Sequence, residues 1–106
     1  MIIVYPNLKL VPETNIDEKI RQSITDFTLL MNKYYGSDRD ICKDIGGFAC
    51  IVESKDDVDK LKNEYFLDLN NDIFEEEEIF DHYIARLYIL SCDYSIKVYF
   101  RKELIE

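Results

Sequence analysis

Tryptophan is absent from the 106 residues, glycine occurs three times, proline twice and histidine once. So few glycines and prolines leave little material for long irregular segments, and regular elements joined by short loops are expected. No phosphate-binding glycine loop is present. The pair Gly46-Gly47 lacks flanking glycines at P-loop or dinucleotide spacing, and no Lys-Ser or Lys-Thr follows it. Long apolar runs are also missing. A membrane helix needs about 20 such residues in sequence, so no membrane partner is expected. Met1-Ile2-Ile3-Val4-Tyr5 looks like the start of a signal peptide, but it has no basic leader and Pro6 ends it. We read it as part of the fold, which makes a cytoplasmic location the expectation. Cysteine is sparse and odd in number. Cys42, Cys50 and Cys92 stand far apart, whereas small secreted scaffolds carry denser, even sets. Reduced, metal-free thiols, buried as small apolar groups, are expected.

The remaining shortage is of positive charge. There are 13 Lys and Arg against 22 Asp and Glu, and the net charge is −9. Nucleic acid is disfavoured as a partner, because its recognition rests on Lys and Arg at phosphates. Disorder is disfavoured too. Hydrophobic residues make up 47% of the chain and aromatics 13%, enough for a core at this size. One domain over residues 1–106 is expected.

The charge is not spread evenly. Residues 53–81 hold twelve acids and three bases, and the rest of the chain is neutral. Like charges crowded in this way repel one another, and a basic partner relieves the repulsion. The candidate partner-binding residues are Asp56, Asp57, Asp59, Asp68, Asp72, Glu75, Glu76, Glu77, Glu78 and Asp81. A charge run also serves solubility alone, and Asp56, Asp57 and Asp59 also suit the first turn of a helix through its dipole.

Periodicity supplies the elements. Residues 2–5 read as a short strand. Leu8, Leu10 and Val11 fit a second edge piece or an extended lead-in. Ile16, Ile20, Ile24, Phe27, Met31 and Tyr34 recur at one-face helical spacing, with Thr14 or Asn15 as cap, Glu18 in the capping-box position and Gly36 as stop. A helix over 15–35 follows, and residues 36–47 read as a polar loop. The run 48–52 is apolar throughout, which suggests a central strand covered on both faces, or at least well buried. Ser54 caps a second helix, with Asp57 in the box and Val58, Leu61 and Tyr65 turned inward. Residues 67–72 read as a turn or loop, and 73–82 fits helix, loop or strand. Strands over 82–91 and 95–101 form a C-terminal hairpin. In the second of these, Ile96, Val98 and Phe100 face inward while Lys97, Tyr99 and Arg101 line a wet face. The order β-α-β-α-β-β implies an α+β domain with two helices on one face of a small, mainly antiparallel sheet. Ile20, Ile24, Phe27 and Met31 are expected to pack on Val52, Leu87, Ile89, Ile96 and Val98.

Catalytic and metal patterns fall short. Asp68, Asn70 and Asp72 match the first three oxygen ligands of an EF-hand loop. Ile73 and Ile79, however, stand where its Gly and Glu belong. His82 and the three cysteines have no paired ligand spacing, and no motif orients a Cys–His pair or the Glu run for acid–base work. The expectation is a binding protein, not an enzyme, with no cofactor and no metal. In size, acidity and α+β outline with a final hairpin, the chain resembles the immunity proteins of bacterial toxin systems, including those of contact-dependent inhibition. That resemblance implies a cytoplasmic inhibitor that occludes a cognate toxin, often a nuclease whose basic active site accepts an acidic decoy. The alternative from the residues alone is a regulatory or structural interaction subunit.

Overall fold

The computed structural model describes residues 2–4, 17–35, 46–91 and 94–105. The elements are β1 (Ile2–Val4), α1 (Glu18–Tyr35), β2 (Gly46–Val52), α2 (Lys55–Tyr65), β3 (Glu76–Ile79), β4 (Tyr83–Ser91) and β5 (Tyr94–Arg101), followed by a 3-10 turn over Lys102–Leu104. The strands form one sheet in the order β1-β2-β5-β4-β3. Every pairing is antiparallel except β2 with β5, which run parallel. The fold is α+β with a C-terminal β4–β5 hairpin, as the alternation of apolar residues implies. Residues 73–82, open between three readings, contain the fifth strand. The lead-in at Leu8, Leu10 and Val11 and most of the 36–47 loop lie outside the described residues. Gly46 and Gly47 fall inside β2, not in the loop.

Local signals explain the helix ends. The Asp17 carboxylate accepts the Lys19 amide at 2.7 Å, so α1 starts at Glu18, later than the Thr14 or Asn15 caps would place it. Thr14 and Asn15 themselves lie outside the described residues, and a side-chain oxygen that meets an orphan amide of the first turn marks its start. At α2, the Ser54 hydroxyl accepts the Asp57 amide at 3.3 Å, and the Asp57 carboxylate accepts the Glu53 amide at 3.1 Å. The Ser54 bond is the cap read from the sequence, and the Asp57 carboxylate reaches back past it to the amide of the preceding residue. The helix stops at Phe66, which takes the left-handed conformation at φ 57°. Leu67 then donates back to the Leu61 carbonyl at 3.2 Å, closing a Schellman-type end without a glycine.

The helices lie on opposite faces of the sheet, not on one. Side chains alternate along a strand, and β2 divides accordingly. Phe48, Cys50 and Val52 join Ile96, Val98, Phe100, Tyr88 and Leu61 in the core under α2, which Leu67 and Leu69 complete. Ala49 and Ile51 join Ala85 and Tyr99 under Ile20, Ile24, Phe27 and Met31 of α1. Of the partners expected for α1, Leu87 packs there. Val52, Ile96 and Val98 face the other way, and Ile89 is half exposed. The physical reason is that β2 is buried on both faces, so each face needs its own cover. The same fact overturns the expected wet face of β5. Tyr99 is fully buried and Lys97 nearly so, with a side chain 12% exposed, because α1 lies over them.

Cys50 is buried and free, and burial pushes its thiol well above the ordinary value, so it behaves as a small apolar group. Cys42 and Cys92 lie outside the described residues. No helix among the described residues is long and apolar enough to cross a membrane.

Candidate functional site

The acidic stretch occupies α2, the 66–75 connection and the edge strand β3. Its carboxylates divide into two sets: one engaged in the fold and one free.

Asp57 caps α2. Asp68 organises the turn that follows. Its carboxylate accepts the Asn70 amide at 3.0 Å and the Asn71 side-chain amide at 2.7 Å, and Lys62 lies 3.7 Å away. The Asn71 and Asn70 bonds hold its carboxyl below the ordinary range, with Lys62 adding to them. Asp72 accepts the Asp68 amide at 2.8 Å. The oxygens that resemble a calcium loop are thus turned onto local amides. Among the described residues, no group of three or more His, Cys, Asp or Glu side chains is placed to hold a metal ion.

Glu77 and Glu78 point to opposite faces of the sheet, as neighbours on a strand must, and each meets a cation from a central strand. On the α2 face, Arg86 of β4 donates Nε to Glu77 at 2.8 Å and Nη1 to the Leu69 carbonyl at 3.1 Å. Its guanidinium lies over the Phe74 ring at 4.3 Å and the Phe100 ring at 5.2 Å, a sheltered position that suits the weakly hydrated Arg head. The buried Tyr88 hydroxyl, on the same face, has no hydrogen-bond partner among the described residues. On the α1 face, Lys97 of β5 donates to Glu78. Glu78 also accepts from the Ser23 hydroxyl at 3.0 Å, and Ser23 and Tyr99 share a hydrogen bond of 2.8 Å. Burial alone would raise the Glu78 carboxyl, but Lys97 and Ser23 outweigh it and hold it below the ordinary value of 4.5.

These pairs anchor the edge strand to both layers. Glu77 and Glu78 therefore hold the sheet together, a role that neither a binding face nor a solubility run implies. They were not legible as such because Arg86, Lys97 and Ser23 lie 9, 19 and 55 residues away in the chain. A depressed carboxyl contributes stability above its unfolded pKa and loses it as pH falls through the folded pKa. Glu78→Gln should therefore destabilise by about 1 kcal/mol near neutral pH, the scale of a partly exposed pair. The deficit should shrink as pH drops below about 4.5, the ordinary Glu value. Urea unfolding of both proteins at neutral and acid pH checks this, and a deficit independent of pH would refute the assignment.

Of the candidate partner-binding residues, the free set is Asp56, Asp59, Glu75, Glu76 and Asp81, while Asp72, though exposed, is held by the Asp68 amide. All are exposed, and no ion pair among the described residues involves them. Three large apolar side chains lie on the same stretch. Phe66 is 85% exposed, Ile73 86% and Ile79 70%, the highest values among the exposed hydrophobics of the described residues. Sequence reasoning missed them, since helical and strand patterns assigned no face to the connection. Isolated exposed hydrophobics are ordinary. Three on one sequence segment, beside carboxylates with no ion pair among the described residues, make that segment the candidate docking element.

Compared with known proteins, the chain matches no family model, no curated protein and no solved structure.

Proposed function

We propose that this is a cytoplasmic binding protein that captures a basic protein partner, acting as an immunity protein that occludes a toxin; a nuclease suits the chemistry. The observation that carries the reading is the coincidence on residues 66–81 of Glu75, Glu76 and Asp81, which have no ion pair among the described residues, with exposed Phe66, Ile73 and Ile79. Carboxylates held for solubility alone do not call for exposed Phe and Ile beside them. Charge would steer the encounter, and the apolar groups would retain the complex. Asp56 and Asp59 extend the surface along α2, whereas Asp57, Asp68, Asp72, Glu77 and Glu78 mainly shape it.

The test has two parts. A partner captured from native cells should kill or arrest a host when expressed alone, and co-expression of this chain should restore growth. Its association should slow several-fold as salt rises, since exposed charges are screened over about 8 Å at physiological ionic strength. Glu75→Gln/Glu76→Gln should slow it comparably at low salt, with dissociation changing less. Unchanged association rates would remove the acidic surface from the interface.

A second reading, a regulatory or structural subunit, is favoured by Leu29 and Leu30. They are exposed on the outer side of α1, away from the acidic stretch in sequence. A harmless captured partner would select it.

A further inference from the structure

β3 is an edge strand. Its inner side pairs with β4, and among the described residues no strand lies on its outer side. The ladder tells which main-chain groups are free. Phe80 donates to the Tyr83 carbonyl at 2.9 Å, so residues 80 and 78 direct their backbone groups inward. Antiparallel alternation then leaves the N–H and C=O of Glu77 and Ile79 facing outward. Such groups are a template for another strand.

We propose that the partner docks by adding a strand to this edge, through a basic extended segment rich in β-branched residues. The inference rests on the reading of the chain as a binder of a basic protein. The occupant follows from charge and pattern. A second copy of β3 would bring one Glu run against another, and like charges opposite each other destabilise a sheet. A segment with Lys or Arg on one face meets Glu76, which is exposed and has no ion pair, whereas Glu77 and Glu78 already have theirs. On the opposite face, an apolar residue of that segment covers Ile79, itself 70% exposed. Main-chain bonds would supply affinity, and the alternating side chains specificity.

The probe is a synthetic peptide that alternates Lys and Val, added to the full chain. Its control is the same peptide with N-methylated backbone amides, which keeps charge and side chains but blocks the ladder. At low salt the parent peptide should bind at least about tenfold more tightly than the control, the effect expected from losing one or two net main-chain hydrogen bonds. It should also slow hydrogen exchange at the Glu77 and Ile79 amides. Ile79→Pro removes an outward N–H and is compatible with an edge position. It should weaken the parent peptide by a similar factor and leave the control unaffected. If the variant fails to fold, the comparison of the two peptides on the wild-type protein stands alone. Equal binding of both peptides, lost with salt, would overturn strand addition and leave the acidic surface intact. Binding of neither at low salt would overturn both. A dimer of the chain abolished by Ile79→Pro would assign the edge to a second copy instead, and would also overturn the proposal.

Discussion

Gly47→Ala is expected to cost this protein much of its stability. Gly47 lies in β2 directly opposite Ser95 of β5, with φ at 109°. A side chain strongly disfavours that angle, and strain of this kind costs about 1–3 kcal/mol. Sterics add to it. A Cβ built on Gly47 would collide with the backbone carbonyl of Ser95. That atom is main chain held in a ladder, so it cannot swing aside as the tip of a side chain would. Forced shifts in a packed interior cost about another 1–3 kcal/mol. Domains of this kind have roughly 5–15 kcal/mol in total, and each kcal/mol moves the melting temperature by about 4–8 °C in a domain near this size. A fall of at least about 10 °C, or loss of a cooperative transition, is therefore expected by thermal unfolding. A variant melting within about 2 °C of wild type, well under the effect of 1 kcal/mol, would mean that β2 and β5 do not meet in this register.

Ile24→Ala should destabilise by about 2–5 kcal/mol, the range for truncating a buried Ile. Ile24 is fully buried in α1. It belongs to the cluster formed with Ala49, Ile51, Ala85 and Tyr99. Ala49 and Ala85 offer little side chain that could move into the space left behind, which argues for the upper half of the range. Chemical denaturation measures the loss. Less than about 0.5 kcal/mol, the scale of a surface substitution, would show that α1 does not pack through this face.

How much was legible follows from the range over which each signal acts. The α1 stripe, the Ser54–Asp57 cap and the strands of the hairpin are local patterns, and each appears as expected, although the wet face read for β5 does not. The candidate site was legible as a charge count only. That count cannot separate Glu75 and Glu76 from Glu77 and Glu78, because the difference lies in Arg86 and Lys97 arriving from other strands. A Gln substitution across all four residues would therefore perturb the sheet as well as the surface. Substitution at Glu75 and Glu76 alone is the cleaner variant.

Sequence alone determined the α+β class, the inward stripe of α1, the end of the chain as a hairpin and the place of the negative charge. Each of these depends on residues close in the chain. Tertiary structure decided which face each helix covers, and with it the fate of Lys97 and Tyr99. The run 48–52 carried part of that answer, since a strand apolar at every position needs cover on both sides. Strand parity groups Phe48 with Cys50 and Ala49 with Ile51, but it does not say which group meets α1. That choice is made when β2 settles between β1 and β5, and contacts between distant residues set it. The same event buries Tyr99 beside Ser23, places Lys97 under the edge strand and leaves the outer side of β3 without a strand among the described residues.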